Sequence, residues 1–505
     1  MRKLIALLFV VVTAVAARAT DYDVPIIVTV NGVSSEQSAT ITVNENDGLY
    51  DLTLKNFMLQ TESSSIGVGN VELTAIKPYQ DGSATLLIAS KQVTITDGDD
   101  PNVSAWLASM LPPVDVLLRG KIEGDELRCY LDIDLTESLG QVIQVIIGGG
   151  YQMPNPSFEE WHTSTGSYEE PNGWHSFESA TGSLASLAGH HIEKSSDAHS
   201  GEASARLFAT SIIGIVANGT MTTGRMNAGS MTASNTDNNA YLDMSSDDVD
   251  GNGDPYYMPF RWYPDEVAVW VNFKQGRVNS QHPYAIISAV ITDGTYYQDP
   301  EPKGKTYTNV VARAKNNKIT ITNGQWNHIT APFTYTTNGA DPKAILITLS
   351  TNADAGQGSA NDELLVDDIE FIYNATVTNL KIKGQSVKGF KSDKTTYEME
   401  LNKEITADDI EATVNGKAAH VAKDVEIDGD HYVCTVYAIS ADMAKMSTYI
   451  VNVKSNATDI RSLPTATNHQ PTAYYTLDGR ETKALVPGNI YICRQGDGTV
   501  KKVCQ

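Results

Sequence analysis

Apolar and polar residues alternate along most of the chain with a period of two, which is the pattern of β-strands that bury one face. In the first 150 residues the alternation recurs in runs such as Ile26 to Val30, Thr40 to Val43 and Leu127 to Leu135. Turn residues such as Asn46-Asp47-Gly48 separate the runs. A meander of about eight strands predicts an up-and-down β-barrel over residues 21–148. A barrel of this size either is filled by side chains or holds one small apolar ligand, and we expect it to be filled.

The glycines at 148–150 predict a flexible joint, after which the loops between the strand candidates are long and polar. Clean alternation marks the strand candidates Val267 to Phe273, Ile286 to Thr292, Ala344 to Leu349 and Leu364 to Tyr373. This spacing predicts a two-sheet jelly roll over residues 151–374. In the first of these strands the valines and Phe273 share one face, whereas Trp270 and Asn272 share the other.

Two smaller β-modules are predicted after the jelly roll. Residues 375–456 contain five strand candidates, and they resemble cadherin-like sandwich repeats in the order Leu380-Lys381-Ile382-Lys383-Gly384, Gly389-Phe390 and Tyr449 to Val453. Residues 457–505 carry Tyr475 to Arg480 and Pro487 to Ile492, and they resemble the C-terminal sorting domain of type IX secretion cargo. A terminal β-module without a sorting role remains the alternative.

Length and composition agree with several folded domains. At roughly 100–200 residues per domain, 505 residues predict three to five domains, and 41% apolar residues supply enough core for them. The predicted fold class is therefore all-β and multidomain: an N-terminal β-barrel, a central jelly-roll β-sandwich, an Ig- or cadherin-like sandwich and a small C-terminal β-module. In pattern and length, residues 21–148 resemble the calycin-like barrel domains of secreted bacterial proteins.

The N-terminus and the charge limit where the protein acts and what it binds. Residues 1–19 have a basic start, an apolar stretch from Leu4 to Ala16 and a small-residue cleavage pattern, which predicts a signal peptide. We therefore expect export to the extracellular space or the outer-membrane surface, with no transmembrane span. The formal net charge of −24 repels phosphate backbones, so we expect no nucleic-acid partner. Four cysteines in so long a chain are too few for a disulfide framework.

The motifs of the second block resemble a known class of sugar-binding domains. They are Asn155 to Trp161, Pro171-Asn172-Gly173-Trp174, His199 to Leu207 and Leu365 to Glu370, in this order. The order is similar to that of jelly-roll carbohydrate-binding modules. Two further segments, 217–224 and 263–273, resemble a family described as a carbohydrate metabolism domain. The resemblance implies that a glycan or polysaccharide is the partner.

The same resemblance implies a structural calcium ion. In similar jelly rolls the Glu of the Phe-Glu pair and an Asp of the closing Asp-Asp pair hold Ca²⁺, which points to Glu159, Asp367 and Asp368 here. The alternative is that these carboxylates are simply solvated. A second acidic run, Asp247 to Asp254, matches the first half of a calcium loop, but Pro259 stands where the bidentate carboxylate would be needed.

Sugar binding needs flat aromatic faces with polar groups beside them, and aromatic residues are concentrated between Tyr256 and Tyr297. If the valines of the 267–273 strand face the core, Trp270 and Asn272 lie on the outer face. The candidate ligand-binding residues are Trp270, Trp262, Tyr257, Asn272 and Tyr296. The alternative is that these rings belong to the core or to ordinary loops.

The sequence offers no catalytic residues of recognisable spacing. It lacks a nucleophile elbow and a phosphate loop, and the histidines His175, His190, His191 and His199 lack metal-ligand companions at helical spacing, so we expect them in solvated loops. The preferred hypothesis is a non-catalytic carbohydrate-binding protein that takes part in extracellular glycan capture or metabolism. The alternatives are a glycoside hydrolase, or a structural or adhesive surface protein that binds surface protein partners.

Overall fold

The computed structural model describes residues 18–30, 32–60, 65–165, 168–245, 247–401, 403–429 and 431–454, together with the backbone of four strands between 471 and 504. Residues 1–17 of the predicted signal peptide lie outside the described residues. The described part is almost entirely β-structure, arranged in several sheets, which confirms the predicted all-β, multidomain class. Within it, no helix combines the length and the apolar character that a membrane crossing requires.

The N-terminal segment forms one nine-stranded sheet with the strand order β4-β3-β2-β1-β9-β8-β7-β6-β5. Its strands are β1 (Arg18–Val30), β2 (Val33–Asn46), β3 (Leu49–Gln60), β4 (Ser65–Ile76), β5 (Pro78–Asp81), β6 (Ala84–Val93), β7 (Val114–Glu123), β8 (Glu126–Leu135) and β9 (Gln141–Ile147). The first strand pairs antiparallel with both the second and the last, so the meander curls round on itself as a barrel. On the other side, Lys91 of β6 donates hydrogen bonds to the carbonyl oxygens of Thr74 and Ala75 in β4.

The barrel interior is packed with aliphatic side chains such as Ile41, Leu54 and Leu131, each fully buried. The thiol of Cys129 fits against Gly120, where an added Cβ would lie 2.8 Å from the sulfur. One 3₁₀ turn, Ala108–Met110, precedes β7, and a four-residue α1 (Thr136–Leu139) lies between the last two strands.

The central segment contains two facing sheets with a shared core. Its strands are β10 (Trp161–Thr165), β11 (Tyr168–Pro171), β12 (Ile192–Ser195), β13 (Ser204–Phe208), β14 (Thr210–Ile212), β15 (Ile215–Ala217), β16 (Thr220–Thr222), β17 (Arg225–Ala228), β18 (Asn238–Tyr241), β19 (Met258–Pro259), β20 (Glu266–Lys274), β21 (Ala285–Thr292), β22 (Gln298–Asp299), β23 (Val310–Ile319), β24 (Asn327–Pro332), β25 (Thr334–Tyr335), β26 (Ala344–Ser350) and β27 (Glu363–Ile372). A 3₁₀ turn, Phe177–Ser179, and a four-residue helix, α2 (Ala185–Ala188), lie in its loops.

One sheet has the order β12-β13-β27-β20-β24, and the other has the order β16-β26-β21-β23-β25 with β19 added beside β26. Between them lie the fully buried rings of Phe158 and Trp174, 5.5 Å apart, with Trp161 packed against the same core. These rings therefore belong to the sandwich core. A small third sheet, β17-β18-β22, packs against the second of these sheets, with Met226 and Ala240 in one cluster with Val290 and Leu346.

The remaining strands form three smaller sheets. They are β28 (Val377–Ile382), β29 (Gln385–Ser386), β30 (Thr396–Glu400), β31 (Ile410–Val414), β32 (His420–Asp428), β33 (His431–Ile439), β34 (Met446–Lys454), β35 (Pro471–Tyr475), β36 (Glu481–Thr482), β37 (Ile490–Gln495) and β38 (Val500–Cys504), with a 3₁₀ turn at Ala407–Asp409. The sheet orders are β29-β28-β31, β30-β34-β33-β32 and β36-β35-β37-β38. In the last sheet Cys493 lies opposite Lys501, the register that a turn at 496–498 predicts.

Candidate ligand-binding site

Trp270 lies on the outer face of its sheet, but another ring covers it. The valines of β20 and Phe273 are fully buried in the core, so the predicted assignment of faces is correct. The imidazole of His199 stacks on the indole of Trp270, with ring centroids 3.8 Å apart and an interplanar angle of 13°. A sugar ring could reach this indole face only by displacing His199.

Asn272, Trp262 and Tyr257 are also engaged within the protein. The Asn272 side chain is 9% exposed and its Oδ1 accepts a hydrogen bond from the Thr322 hydroxyl at 2.8 Å. The Trp262 ring lies 4.2 Å from the ring of Tyr151 and 4.4 Å from the guanidinium of Arg128 in the barrel.

Tyr257 is half-buried against the cluster that contains Leu242 and Leu346. All three side chains thus contact other parts of the protein, and a role in ligand binding stays a prediction for them.

Tyr296 is the predicted ligand residue that the structure leaves open, with 46% of its surface exposed. It borders a groove of about 430 Å³, here called the tyrosine groove, whose lining includes Asn227, Asp237, Asn239, Tyr241, Tyr296 and Gln298. The rings of Tyr241 and Tyr296 are 5.9 Å apart and inclined by 38°. The Tyr296 hydroxyl donates to Oε1 of Gln298 at 3.0 Å.

The small sheet β17-β18-β22 places these groups together. Asn239 and Tyr241 are two residues apart in β18 and so project from the same face, and Gln298 lies opposite Tyr241 in β22. Burial raises the pKa of Tyr241 and of Tyr296, so both phenols are protonated at neutral pH and can donate hydrogen bonds. The groove thus combines two aromatic faces with several polar groups.

A buried amide oxygen at this groove has no partner. Nδ2 of Asn239 donates to the carbonyl oxygen of Thr236 at 2.8 Å, which fixes the orientation of the amide. Its Oδ1 has almost no accessible surface and accepts no hydrogen bond from the described residues. A buried acceptor without a donor costs about 1–3 kcal/mol, which a ligand hydroxyl would recover only if the groove wall moves to admit it.

A second depression adjoins the tyrosine groove and shares Asn227 and Asn239 with it. This apolar cleft has a volume of about 330 Å³, and its apolar lining includes Leu184, Leu187, Ile212, Ile215, Met226 and Met231. Ser288, Thr348 and Ser350 also line it, from strands β21 and β26. Sequence reasoning missed both depressions, although the polar and aromatic alternation in Asn239-Ala240-Tyr241 is a signal that could have marked the groove.

The three predicted metal ligands converge on one turn. Oε1 of Glu159 accepts hydrogen bonds from the N–H groups of Glu202 and Ala203, at 2.9 and 3.2 Å. Oδ2 of Asp367 accepts from the N–H groups of His199 and Ser200, at 2.7 and 3.2 Å.

Asp368 stands in a β-bulge of β27 with φ of 45°, and its carboxylate contacts Nδ1 of His199 at 2.6 Å and the Ser200 hydroxyl at 2.7 Å.

These carboxylates do not form a metal cage as they are arranged. Asp367 is fully buried, and burial together with the charge of Asp368 raises its pKa to about 6. The oxygens of Glu159 and Asp367 face backbone N–H groups, whose positive ends repel a cation. Among the described residues, no group of three or more His, Cys, Asp or Glu side chains could hold a metal ion. Calcium binding here stays a prediction.

The expectation that the histidines lie in solvated loops is wrong for His175 and His191, which are fully buried. Nε2 of His175 and Nε2 of His162 each lie 3.3 Å from Oδ2 of the buried Asp250. The other oxygen of Asp250 accepts from the backbone of its own acidic run, at Asn252 and Asp254. For His175 the expectation failed because its contact with Asp250 joins residues 75 positions apart, which no local spacing reveals.

Comparisons with known proteins bear mainly on the barrel. Residues 19–149 match the family described as Calycin-like beta-barrel domain. No curated protein matches the chain.

Among solved structures, the chain is similar to the M60 catalytic domain with the CBM51-1 and CBM51-2 domains from Clostridium perfringens ZmpB, at 11% identity and a TM-score of 0.15, over 96% of this chain and 44% of that one. It is also similar to the N-terminal CBM22-1-CBM22-2 tandem domain from Paenibacillus barcinonensis Xyn10C, at 11% identity and a TM-score of 0.19, over 70% of this chain and 92% of that one. The chain thus spans less than half the length of the first structure, and at these TM-scores neither likeness bears on function.

Proposed function

We propose that the chain binds carbohydrate in the tyrosine groove and does not catalyse a reaction on it. The observation that carries this proposal is the exposed ring of Tyr296 in a groove that is also lined by Asn239, whose Oδ1 is buried and has no hydrogen-bond partner among the described residues. The C–H face of a pyranose ring packs on an aromatic ring, while its hydroxyl groups supply the donor that Oδ1 lacks. Asp237, Gln298 and the Tyr241 hydroxyl would satisfy further hydroxyl groups at the rim.

The groove favours binding over hydrolysis. Most glycosidases use a pair of carboxyl groups about 5–10 Å apart. Among the described residues that line the tyrosine groove, Asp237 is the one carboxylate. A hydrolase would release reducing sugar from a polysaccharide, so the same preparations that bind glycan should show no such release.

The proposal is tested with two tyrosine variants of the full chain. Tyr296→Ala should weaken binding to glycans identified on a microarray by about tenfold or more, since a central aromatic contact is worth about 1.4 kcal/mol or more. Tyr168→Ala is the matched control, because Tyr168 is 45% exposed and lies outside the groove. Equal affinity of the two variants would overturn the proposal, as would the absence of binding to every glycan tested.

We further propose that the protein acts outside the cell, after export through the signal peptide predicted at residues 1–19. In this proposal the cadherin-like and sorting-type segments space and display the jelly roll. Recovery of a mature chain that begins at Thr20 from the culture medium or the outer membrane would support it, and an uncleaved cytoplasmic chain would contradict it. An adhesive role would instead predict a protein partner that Tyr296→Ala leaves bound.

The predicted calcium ion has a separate test. Addition of Ca²⁺ to chelator-treated protein should raise the Tm of the wild type and should leave that of Asp368→Asn unchanged. An unchanged wild-type Tm contradicts the prediction. Carbohydrate binding does not depend on the outcome.

A further inference from the structure

The tyrosine groove carries a negative charge that the protein itself does not neutralise. Asp237 lines the groove, and its side chain is exposed. Its backbone groups are held by Asn227, which donates to the Asp237 carbonyl oxygen, and by Asn235, which accepts from the Asp237 N–H. Its carboxylate, in contrast, forms no ion pair or hydrogen bond with any residue that the structure describes. The charge is therefore available to a ligand.

No positive group shares the groove with this carboxylate. The other residues of the lining that the structure describes are glycine, serine, asparagine, tyrosine and glutamine. A sugar with a carboxylate, sulfate or phosphate group would bring a second negative charge close to Asp237. The formal net charge of −24 also repels an acidic polymer and attracts a basic one. The local charge and the overall charge thus both favour a ligand with a positive group.

The two ends of the tyrosine groove differ in chemistry. The rings of Tyr241 and Tyr296 form one end, and Asp237 lies towards the other. Residues 238–241 form strand β18, so about 13 Å of extended chain separates Asp237 from Tyr241. Asn239 lies between the two ends and is 7% exposed. Because this span is longer than one pyranose ring, a ligand that contacts both ends is an oligosaccharide.

The positive group of the ligand belongs at the Asp237 end of the groove. An aromatic face can also attract a cation. At the tyrosine end, however, the ammonium group of Lys305 already lies 5.3 Å from the centre of the Tyr296 ring and 4.4 Å from that of Tyr307. A second ammonium group there would be repelled, whereas Asp237 attracts one. The tyrosine end is therefore suited to the face of a neutral sugar.

We infer that the ligand is an amino glycan, an oligosaccharide in which a sugar with a free, protonated amino group lies close to a neutral sugar. The neutral ring packs on Tyr296, and the ammonium group of the other sugar donates to the carboxylate of Asp237. This inference rests on the proposed carbohydrate binding and names the class of glycan. Hydrogen bonds between ionised groups are roughly twice as strong as neutral ones, so the amino group should govern which glycans bind best.

The test compares a tetramer of β-1,4-linked N-acetylglucosamine with the four derivatives that each lack one acetyl group. Isothermal titration of the full chain at about pH 5.5 keeps amino groups protonated and carboxyl groups ionised. At least one derivative should bind about fivefold or more tightly than the parent tetramer, which corresponds to about 1 kcal/mol. Asp237→Asn should bring the ratio of these two affinities to about one. Asp115→Asn, at an exposed aspartate of strand β7, is the matched control and should keep the ratio.

The results distinguish this inference from the function on which it rests. If the parent and all its derivatives bind equally, the amino glycan is refuted and carbohydrate binding stands. A gain that both aspartate variants reduce alike reflects general attraction to an acidic protein and also refutes the amino glycan. If no tetramer binds, the amino glycan is refuted, and carbohydrate binding falls with it only when the microarray is also blank. A gain that only Asp237→Asn removes, with weaker binding of every tetramer to Tyr296→Ala, supports both.

Discussion

Replacement of Gly201 by alanine should destabilise the jelly roll by far more than its backbone conformation alone accounts for. Gly201 has φ of 64°, and a side chain in the left-handed region costs about 1–2 kcal/mol. A Cβ at this position would lie 2.0 Å from Oε1 of Glu159. The carboxylate must then move and lose its hydrogen bonds from Glu202 and Ala203, which adds roughly 1.5–3 kcal/mol because the acceptor is charged. We therefore expect a total cost of about 2.5–5 kcal/mol.

A double-mutant cycle isolates the contact with Glu159. In the Glu159→Ala background the obstacle is gone, so Gly201→Ala should cost only the backbone term, about 1–2 kcal/mol. Gly173→Ala is the matched control: Gly173 has φ of 76° and open space where its Cβ would lie, so only the backbone term applies. Urea unfolding followed by tryptophan fluorescence reports mainly the jelly roll, because five of the six tryptophans lie in residues 151–374. The reasoning is refuted if Gly201→Ala costs no more than Gly173→Ala, or the same with and without Glu159.

Three further predictions concern buried charge, packing and ring stacking. Burial raises the pKa of Asp362 above its ordinary 3.8, so its contribution to stability is present below pH 3.8 and is lost as the pH rises through the higher folded-state pKa. Asp362→Asn should therefore flatten the dependence of Tm on pH. An unchanged slope would contradict this. Trp262→Ala removes the contact with Arg128 of the barrel and should speed protease cleavage at residues 148–150, whereas an equal rate would show that the contact does not restrain the joint. His199→Ala should uncover Trp270 and increase the quenching of fluorescence by acrylamide, and the same quenching constant would count against the stack.

The strands and the core-facing side of β20 could be predicted from sequence because alternation is a local property. The valines of that strand are buried as predicted. What covers the outer face could not be predicted in this way. His199 reaches Trp270 from a segment 71 residues earlier, and Arg128 reaches Trp262 from another domain-sized segment. Exposure of a ring is set by such distant partners, so the sequence alone could not show that His199 covers Trp270 or that Arg128 contacts Trp262, whereas Tyr296 borders the groove.

The unpartnered oxygens of Asn218 and Asn239 illustrate the same limit. Each side-chain amide donates a hydrogen bond to a backbone carbonyl oxygen. Whether its own oxygen also accepts one depends on strands far away in the chain. The expected solvation of His175 failed for a related reason, since its partner Asp250 lies 75 residues later. Sequence spacing is informative about contacts within one strand or helix and silent about those between loops.

The buried thiols give this chain two internal reporters of opening. Burial raises the pKa of Cys129 and of Cys434 to about 12, so at pH 7 only about one molecule in 10⁵ carries either as thiolate. Thiol reagents should therefore label Cys129, which packs against Gly120, only when the barrel opens. They should label Cys434 of β33 only when the sheet β30-β34-β33-β32 separates. Mass spectrometry of the labelled peptides would follow the two openings independently in one sample. The lifetime of each folded part could then be read under native conditions, without denaturant.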